Sequence, residues 1–414
     1  MSRADSQKPI VTLGIETSCD ETALALIKTN GQGVDFTCQV LSSLVHSQAE
    51  LHSAYGGVFP SLAKREHGKN LVPLLHKLMI EAGELLEFSD DVGEAHMKDV
   101  MVSFSKEIAP QNPELYQSFS EAKFLGKIPK IDRIAVTEGP GLEPALWVGI
   151  NFARMLSALW KIPVEPVDHM EGHIVGSLFP SEITNGAVHR IFDAPMPAVA
   201  LLISGGHTQL VNVETIGNYE IIGETVDDAV GEAFDKVARL LGLAYPGGPN
   251  LSRLAGEART AGIEAPVKLP RPMIGSKDLS FSFSGLKTAV LYATRKAPRD
   301  AKGDIEVNWK KGLAREFEDA VKETLDSKLR DALDKVGASS IIIGGGVSAN
   351  SVLREAFGGT ALEYGIPIFL PSHHISGDNA LMIALASALD GDEKNSNKLG
   401  HQIIRAQGTK RLSV

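Results

Sequence analysis

Two widely separated stretches of this chain follow one plan. Ile10–Ile15 is an apolar run that ends in the polar turn Glu16–Thr22, and Ala23–Ile27 returns as a second apolar run. Ala198–Ile203, the turn Ser204-Gly205-Gly206-His207-Thr208 and the run Gln209–Val213 repeat it. Each reads as two strands joined by a polar turn. A unit of this kind occurring twice predicts an internal duplication, with two similar lobes and a nucleotide cleft between them. Length agrees, because 414 residues exceed the roughly 250–300 at which a single core stops growing.

Between and after the two units, apolar residues recur at helical spacing over Leu71–Glu84, Gly149–Trp160, Asp227–Leu241, Trp309–Val336, Ala349–Ala356 and Asn379–Leu389. Ser339–Ile343 has the character of a buried strand running into Gly344-Gly345-Gly346. Strands and helices alternating through Gly-rich turns predict an α/β fold. The expected division is a first lobe over residues 1–165, completed by a C-terminal helix at about 378–395, and a second lobe over 166–377. Residues 396–414 form a polar, basic tail, and about 88–130 reads as a partly helical surface insertion.

A net charge of −10 argues against nucleic-acid binding by bulk electrostatics and requires a local basic patch or a partner for any RNA substrate. The stretch after Leu389 supplies one cluster in Lys394, Lys398, Arg405, Lys410 and Arg411. Only Cys19 and Cys38 are present, without CxxC spacing, and the N-terminus has no apolar h-region. No window approaches the apolar length of a membrane span. These features lead to the expectation of a cytoplasmic protein with no membrane contact.

His169-Met170-Glu171-Gly172-His173 places two imidazoles one helical turn apart, the spacing that lets both reach one metal ion. Surface or core histidines have the same spacing. Glu171 is rotated about 200° from His169 and does not share that face, unlike the glutamate of HExxH proteases. Asp378 is the best third ligand, with a helix N-cap as its alternative role, and His373 and His374 compete with it. The clusters Ser204-Gly205-Gly206, Gly247-Gly248 and Gly344-Gly345-Gly346 read either as turns or as backbone cradles for a nucleotide. No GxxxxGK[ST] is present, so a Walker-type site is excluded. Asp227, Asp228, Glu232, Asp235 and Lys236 fall at helical spacing, as a solvated face or as one meeting a ribose. Glu16, Asp20 and Glu21 crowd the first turn, an arrangement that is costly between buried strands unless they face a ligand.

Together with Gly139-Pro140-Gly141-Leu142, Tyr245-Pro246-Gly247-Gly248-Pro249, Phe281-Ser282-Phe283-Ser284-Gly285-Leu286-Lys287 and the runs 14–22, 204–210, 231–236 and 344–350, these segments closely resemble the TsaD transferases, formerly described as glycoproteases. They follow family order from about residue 10 to about 390. The resemblance implies the two-lobed fold of actin, Hsp70 and sugar kinases, the ASKHA fold. It implies one divalent metal ion, iron or zinc, on His169, His173 and Asp378. It also implies that Leu202, Ile203, Ser204, Gly205, Gly206, Asp235, Gly248 and Asn350 contact a threonylcarbamoyl-AMP donor, an ATP- or AMP-like nucleotide in the cleft. The expected acceptor is the N6 amine of an adenosine in a tRNA anticodon loop, with Asp20, beside Glu21, as the base. Expected partners are a paralogue without the metal histidines and a P-loop ATPase, or a second copy of the chain. The insertion, and Glu143-Pro144 in a loop where small residues are usual, depart from the family pattern. Three rival readings are a metalloprotease, a small-molecule kinase of the same fold and a non-catalytic paralogue.

Overall fold

The computed structural model describes residues 8–31, 35–180 and 184–389. The basic tail lies outside them. In chain order the elements are β1 (Ile10–Glu16), β2 (Glu21–Asn30), β3 (Thr37–Ser47), α1 (Ala49–Ser53), α2 (Pro60–Ala82) and β4 (Phe88–Asp91). Next come α3 (Glu94–Glu107), α4 (Pro113–Glu121), β5 (Lys127–Pro129), β6 (Arg133–Gly139), α5 (Glu143–Trp160), β7 (Val164–Asp168), α6 (His169–Gly176) and β8 (Val188–Arg190). Then follow β9 (Ala198–Ile203), β10 (Thr208–Thr215), β11 (Asn218–Glu224), α7 (Val230–Leu240), α8 (Gly247–Thr260) and α9 (Ser284–Lys296). The last are α10 (Val307–Val336), β12 (Ser340–Gly344), α11 (Ser351–Tyr364), β13 (Ile368–Phe369) and α12 (Ala380–Leu389).

The chain forms two compact units. One runs to Gln48, resumes over Val58–Asp193 and takes up the chain again from Gly377; the other comprises Ala49–Gly57 and Ala194–Ser376. The expected break at 165/166 therefore falls instead at 193/194. The reason is strand pairing: β7 lies parallel to β6, so the helix that β7 leads into stays with the first unit.

The first unit has a six-stranded sheet in the order β7-β6-β1-β2-β3-β8, and the second a five-stranded sheet in the order β11-β10-β9-β12-β13. In each, a hairpin (β1–β2, β9–β10) is extended by an antiparallel third strand (β3, β11) on one side. Two parallel strands (β6–β7, β12–β13) extend it on the other. The expected duplication is thus a duplication of topology. The inner strands are continuous apolar runs because both sheet faces are covered, as in Ala198–Ile203, buried at every position.

The segment expected as a surface insertion is part of the first unit's core. Val100, Phe104, Ile108, Leu115, Phe119 and Leu125 are all buried against residues of α2 and α5. Asn151 of α5 donates to Asn112 at 2.8 Å, and the Trp160 indole donates to the Leu125 carbonyl at 3.1 Å. The segment consists of α3, the shorter α4 and a two-stranded ribbon, β4–β5, and of these α4 and the ribbon are too brief to show a clear repeat. Glu143 and Pro144, expected in a loop, open α5, where proline lacks no needed donor and a carboxylate meets the positive helix end. Likewise Gly247-Gly248-Pro249 form the first turn of α8, not a free turn.

Candidate metal centre and nucleotide loops

The metal candidate is assembled within the first unit. Asp168, the last residue of β7, caps α6 by accepting from the Met170 and Glu171 N–H groups at 2.8 and 3.2 Å. This cap starts the helix at His169 and leaves His169 and His173 on one face, their rings 4.7 Å apart. The third residue comes from the far end of the chain. Gly14 of β1 makes that possible, because a Cβ there would lie 2.3 Å from the Ala380 carbonyl oxygen, so only glycine lets α12 approach β1. Gly172 does the same for α6, where a Cβ would sit 3.0 Å from Ile383 and 3.1 Å from Met382 of α12.

Asp378 precedes α12, and its Oδ1 lies 3.3 Å from His169 Nε2 and 3.2 Å from His173 Nε2. The three ligand atoms fall within 4.8 Å of one another. Atoms at about 2.0–2.1 Å from a tetrahedral ion stand about 3.3 Å apart, so these spacings suit one ion. His173 Nε2 is buried without hydrogen-bond geometry to any partner, as expected of a lone pair reserved for a cation. Asn379, not Asp378, caps the final helix: its Oδ1 accepts from the Met382 N–H at 3.0 Å. That closes the capping alternative for Asp378. His373 and His374 are exposed and stand outside the cluster.

Sequence reasoning placed Glu16 only among the acids of the first turn. It is fully buried at the end of β1, and His169 Nδ1 lies 3.0 Å from its Oε2. Thr137 donates to the same oxygen at 2.6 Å, and the Ser18 N–H donates to the other. With Nδ1–H given to Glu16, the Nε2 lone pair of His169 faces Asp378, the carboxylate–histidine arrangement that orients metal-binding imidazoles. Burial works against charge on all four groups. Even so, the attraction of Asp378 and Glu16 holds His169 well above the usual imidazole range, and His169 in turn draws Glu16 and Asp378 down. Burial pushes His173 down, toward the neutral form that ligates metal. Two carboxylates around two imidazoles call for a cation at the centre.

The turn after Glu16 faces the same place. Asp20 is buried, and the Glu21 carboxyl is pushed well up, by burial first and then by the charges of Asp20 and Asp378. Asp378 also adds to the burial that raises the Cys19 thiol.

The expected nucleotide residues all lie in the second unit. Leu202 and Ile203 end β9 fully buried, and Ser204-Gly205-Gly206 turn into β10, held by the Ser204 N–H to the His207 carbonyl at 2.9 Å. No neighbouring atom lies within 4 Å of where a side chain would begin on Gly205 or Gly206, so this backbone is open to a ligand. Asp235 has a structural task, accepting from the Gly247 and Gly248 N–H groups at 2.8 and 3.3 Å as a remote cap for α8. Asn350 caps α11, accepting from Val352 and Leu353, while its Nδ2 donates to Ser252 at 2.9 Å and to Glu318 at 2.7 Å. Its amide is therefore committed on both sides to holding α11, α8 and α10 together.

Comparison with known proteins gives a consistent result. The family model described as tRNA N6-adenosine threonylcarbamoyltransferase matches residues 39–92 and 112–385, passing over α3. A protein of that name from Nitrosospira multiformis is 40% identical over 401 residues, covering 96% of each chain. One from Burkholderia thailandensis is 42% identical over 381 residues, covering 92% of each. Among solved structures, T. kodakarensis HypF is 12% identical with a TM-score of 0.50, covering 95% of this chain and 49% of that one, a likeness of fold alone. The α/β fold is of the actin, Hsp70 and sugar-kinase class. Matched along most of its length in both sequence and order, this chain belongs to the tRNA N6-adenosine threonylcarbamoyltransferase family.

Proposed function

We propose that this chain transfers a threonylcarbamoyl group from threonylcarbamoyl-AMP to the N6 amine of the adenosine 3′ of the anticodon in tRNAs that read ANN codons. Among the structural observations, the convergence of His169, His173 and Asp378 beside a buried acidic turn carries this reading. Family membership supplies the reaction class.

The adenine amine is a poor nucleophile because its lone pair is delocalised into the ring. Transfer needs an activated acyl group, which a mixed anhydride with AMP provides, and a proton acceptor. The N6–carbamoyl bond forms, the carbamoyl–phosphate bond breaks, AMP leaves and the amine proton passes to a base. Asp20, beside Glu21, supplies that base, on a turn where burial first and the Asp20 charge next push the Glu21 carboxyl well up. Backbone N–H groups of Gly205 and Gly206 hold the nucleotide phosphate, on a turn that the Ser204 N–H closes. His169, His173 and Asp378 would hold one divalent ion, iron or zinc, which would supply Lewis acidity toward the threonyl end of the donor. The target base leaves its stack at little cost in an anticodon loop.

The reaction belongs in the cytoplasm. No helix of the described residues is long and apolar enough to cross a membrane. The acidic chain gains its tRNA by a local basic surface or through partners: a paralogue lacking the metal histidines with a P-loop ATPase, or a second copy of itself. Nucleoside analysis of tRNA incubated with the protein and synthetic donor adenylate is the test. Appearance of N6-threonylcarbamoyladenosine is the expected result, and unmodified tRNA from metal-loaded protein would refute the reading.

A further inference from the structure

His67 of α2 is fully buried and has no part in the chemistry above. Its Nε2 lies 3.0 Å from the carbonyl oxygen of Cys19. Its Nδ1 lies 2.7 Å from Thr22 Oγ1 and 3.2 Å from Gln48 Nε2. A carbonyl can only accept, and an amide nitrogen can only donate, so the protonation is decided by the partners. Nε2 carries the proton and gives it to Cys19, while Nδ1 offers its lone pair to Gln48 and Thr22. His67 is thus a neutral imidazole.

Gln48 works from the other side. Its backbone N–H donates to the Asp20 carbonyl at 2.9 Å. The carbonyls of Cys19 and Asp20, consecutive in the turn, are therefore each held from a different place, by α2 and by the residue that follows β3. The Cys19 carbonyl belongs to the Cys19–Asp20 peptide and the Asp20 carbonyl to the next one, so the peptides on both sides of Asp20 are held against rotation. The turn so fixed is the one that carries Asp20 and Glu21 toward Asp378.

We propose that His67 is a positioning residue, which through its bond to the Cys19 carbonyl holds the acidic turn Asp20–Glu21 in register with the metal centre. It touches neither substrate nor metal. The inference rests on the transferase reading, and two substitutions separate it from simple packing. His67→Gln places an amide N–H near the position of Nε2 and keeps the donor to Cys19. His67→Asn reaches only the Nδ1 position, keeping a contact to Thr22 and losing the one to Cys19.

The experiment compares both variants with the unaltered full chain, metal-loaded, for kcat, KM for tRNA, metal bound per chain and thermal midpoint. Imidazole nitrogen NMR reports the tautomer. Loss of orientation on the scale of 1 Å costs up to about 100-fold. The expected result is a kcat lowered about 10- to 100-fold in His67→Asn with KM and metal content unchanged, substantial recovery in His67→Gln, and a neutral Nε2–H ring at His67. Equal kcat in the two variants, a loss that merely follows the folded or metal-loaded fraction, or an Nδ1–H or doubly protonated ring overturns this inference alone. Absence of transfer by the unaltered chain overturns the transferase reading and this inference with it.

Discussion

At the residue scale the candidate metal centre depends on side chains with unequal duties. Removing a ligand leaves two, so His169→Ala or His173→Ala is expected to abolish bound metal while the fold persists; metal analysis beside a circular dichroism spectrum checks it. Glu16 acts one step away, through Nδ1 of His169. Glu16→Gln keeps its volume and loses its charge, and metal affinity is expected to fall about 10- to 100-fold, the usual effect of losing such a supporting carboxylate. Competition against a chelator of known affinity measures it, and unchanged affinity would leave Glu16 a structural role only. Asn350 presents a different case. Its four hydrogen bonds are internal, so Asn350→Ala is expected to destabilise the protein by about 1–3 kcal/mol, from a lost helix cap and a buried Glu318 oxygen deprived of its amide donor. Denaturant unfolding reads this directly, and a change in donor affinity without a change in stability would contradict it.

At the scale of elements, glycines and remote caps decide where helices lie. Gly14→Ala would drive a methyl into the Ala380 carbonyl and push α12, with Asp378 at its start, away from β1. Overpacking of this kind costs about 1–3 kcal/mol, so a lower thermal midpoint accompanied by weaker metal binding is expected. Asp227 anchors α9 in the second unit, accepting from the Phe283 N–H at 2.8 Å, the Ser284 N–H at 3.2 Å and the hydroxyls of Ser282 and Ser284. Burial opposes its charge, but these donors outweigh burial and hold its carboxyl below the ordinary range. Its stabilisation is thus present above the unfolded aspartate value of about 3.9 and is lost as pH falls through the lower folded value. Asp227→Asn should cost about 1 kcal/mol near neutrality, less what solvent screening removes at this exposed site. The difference from the unaltered chain should narrow below about pH 4, and unfolding midpoints measured across pH show whether it does.

At the scale of the whole molecule, a chain of net charge −10 must gather the positive charge for tRNA locally. Truncation after Leu389 is expected to lower tRNA affinity and flatten its dependence on salt, because fewer counterions are released on binding. Equal slopes for the two chains would assign tRNA capture to another surface or to a partner. Much of the molecule could be read without coordinates where the signal is local. The repeated strand–turn–strand plan, the long amphipathic helices and the imidazole pair in His169–His173 each depend on neighbours within a few residues, and periodicity reports such neighbours directly. Asp378 was legible as a ligand only with an alternative, since a carboxylate before a helix has the same local pattern as a cap; Asn379 taking the cap removed the ambiguity. Glu16, His67 and Asn350 acquire their partners across 153, 48 and up to 98 residues of chain. No spacing encodes those contacts, because they exist only once β1, α2, α6 and α11 are packed in their own units. The division after residue 193 and the burial of the segment near 100 were likewise decided by strand pairing and by packing against α5. The sequence by itself determined the types of the long periodic elements, the duplicated topology and the chemical kind of the site; the tertiary structure alone decided which buried polar groups face one another, since a hydrogen bond is set by distance in space and not by distance along the chain.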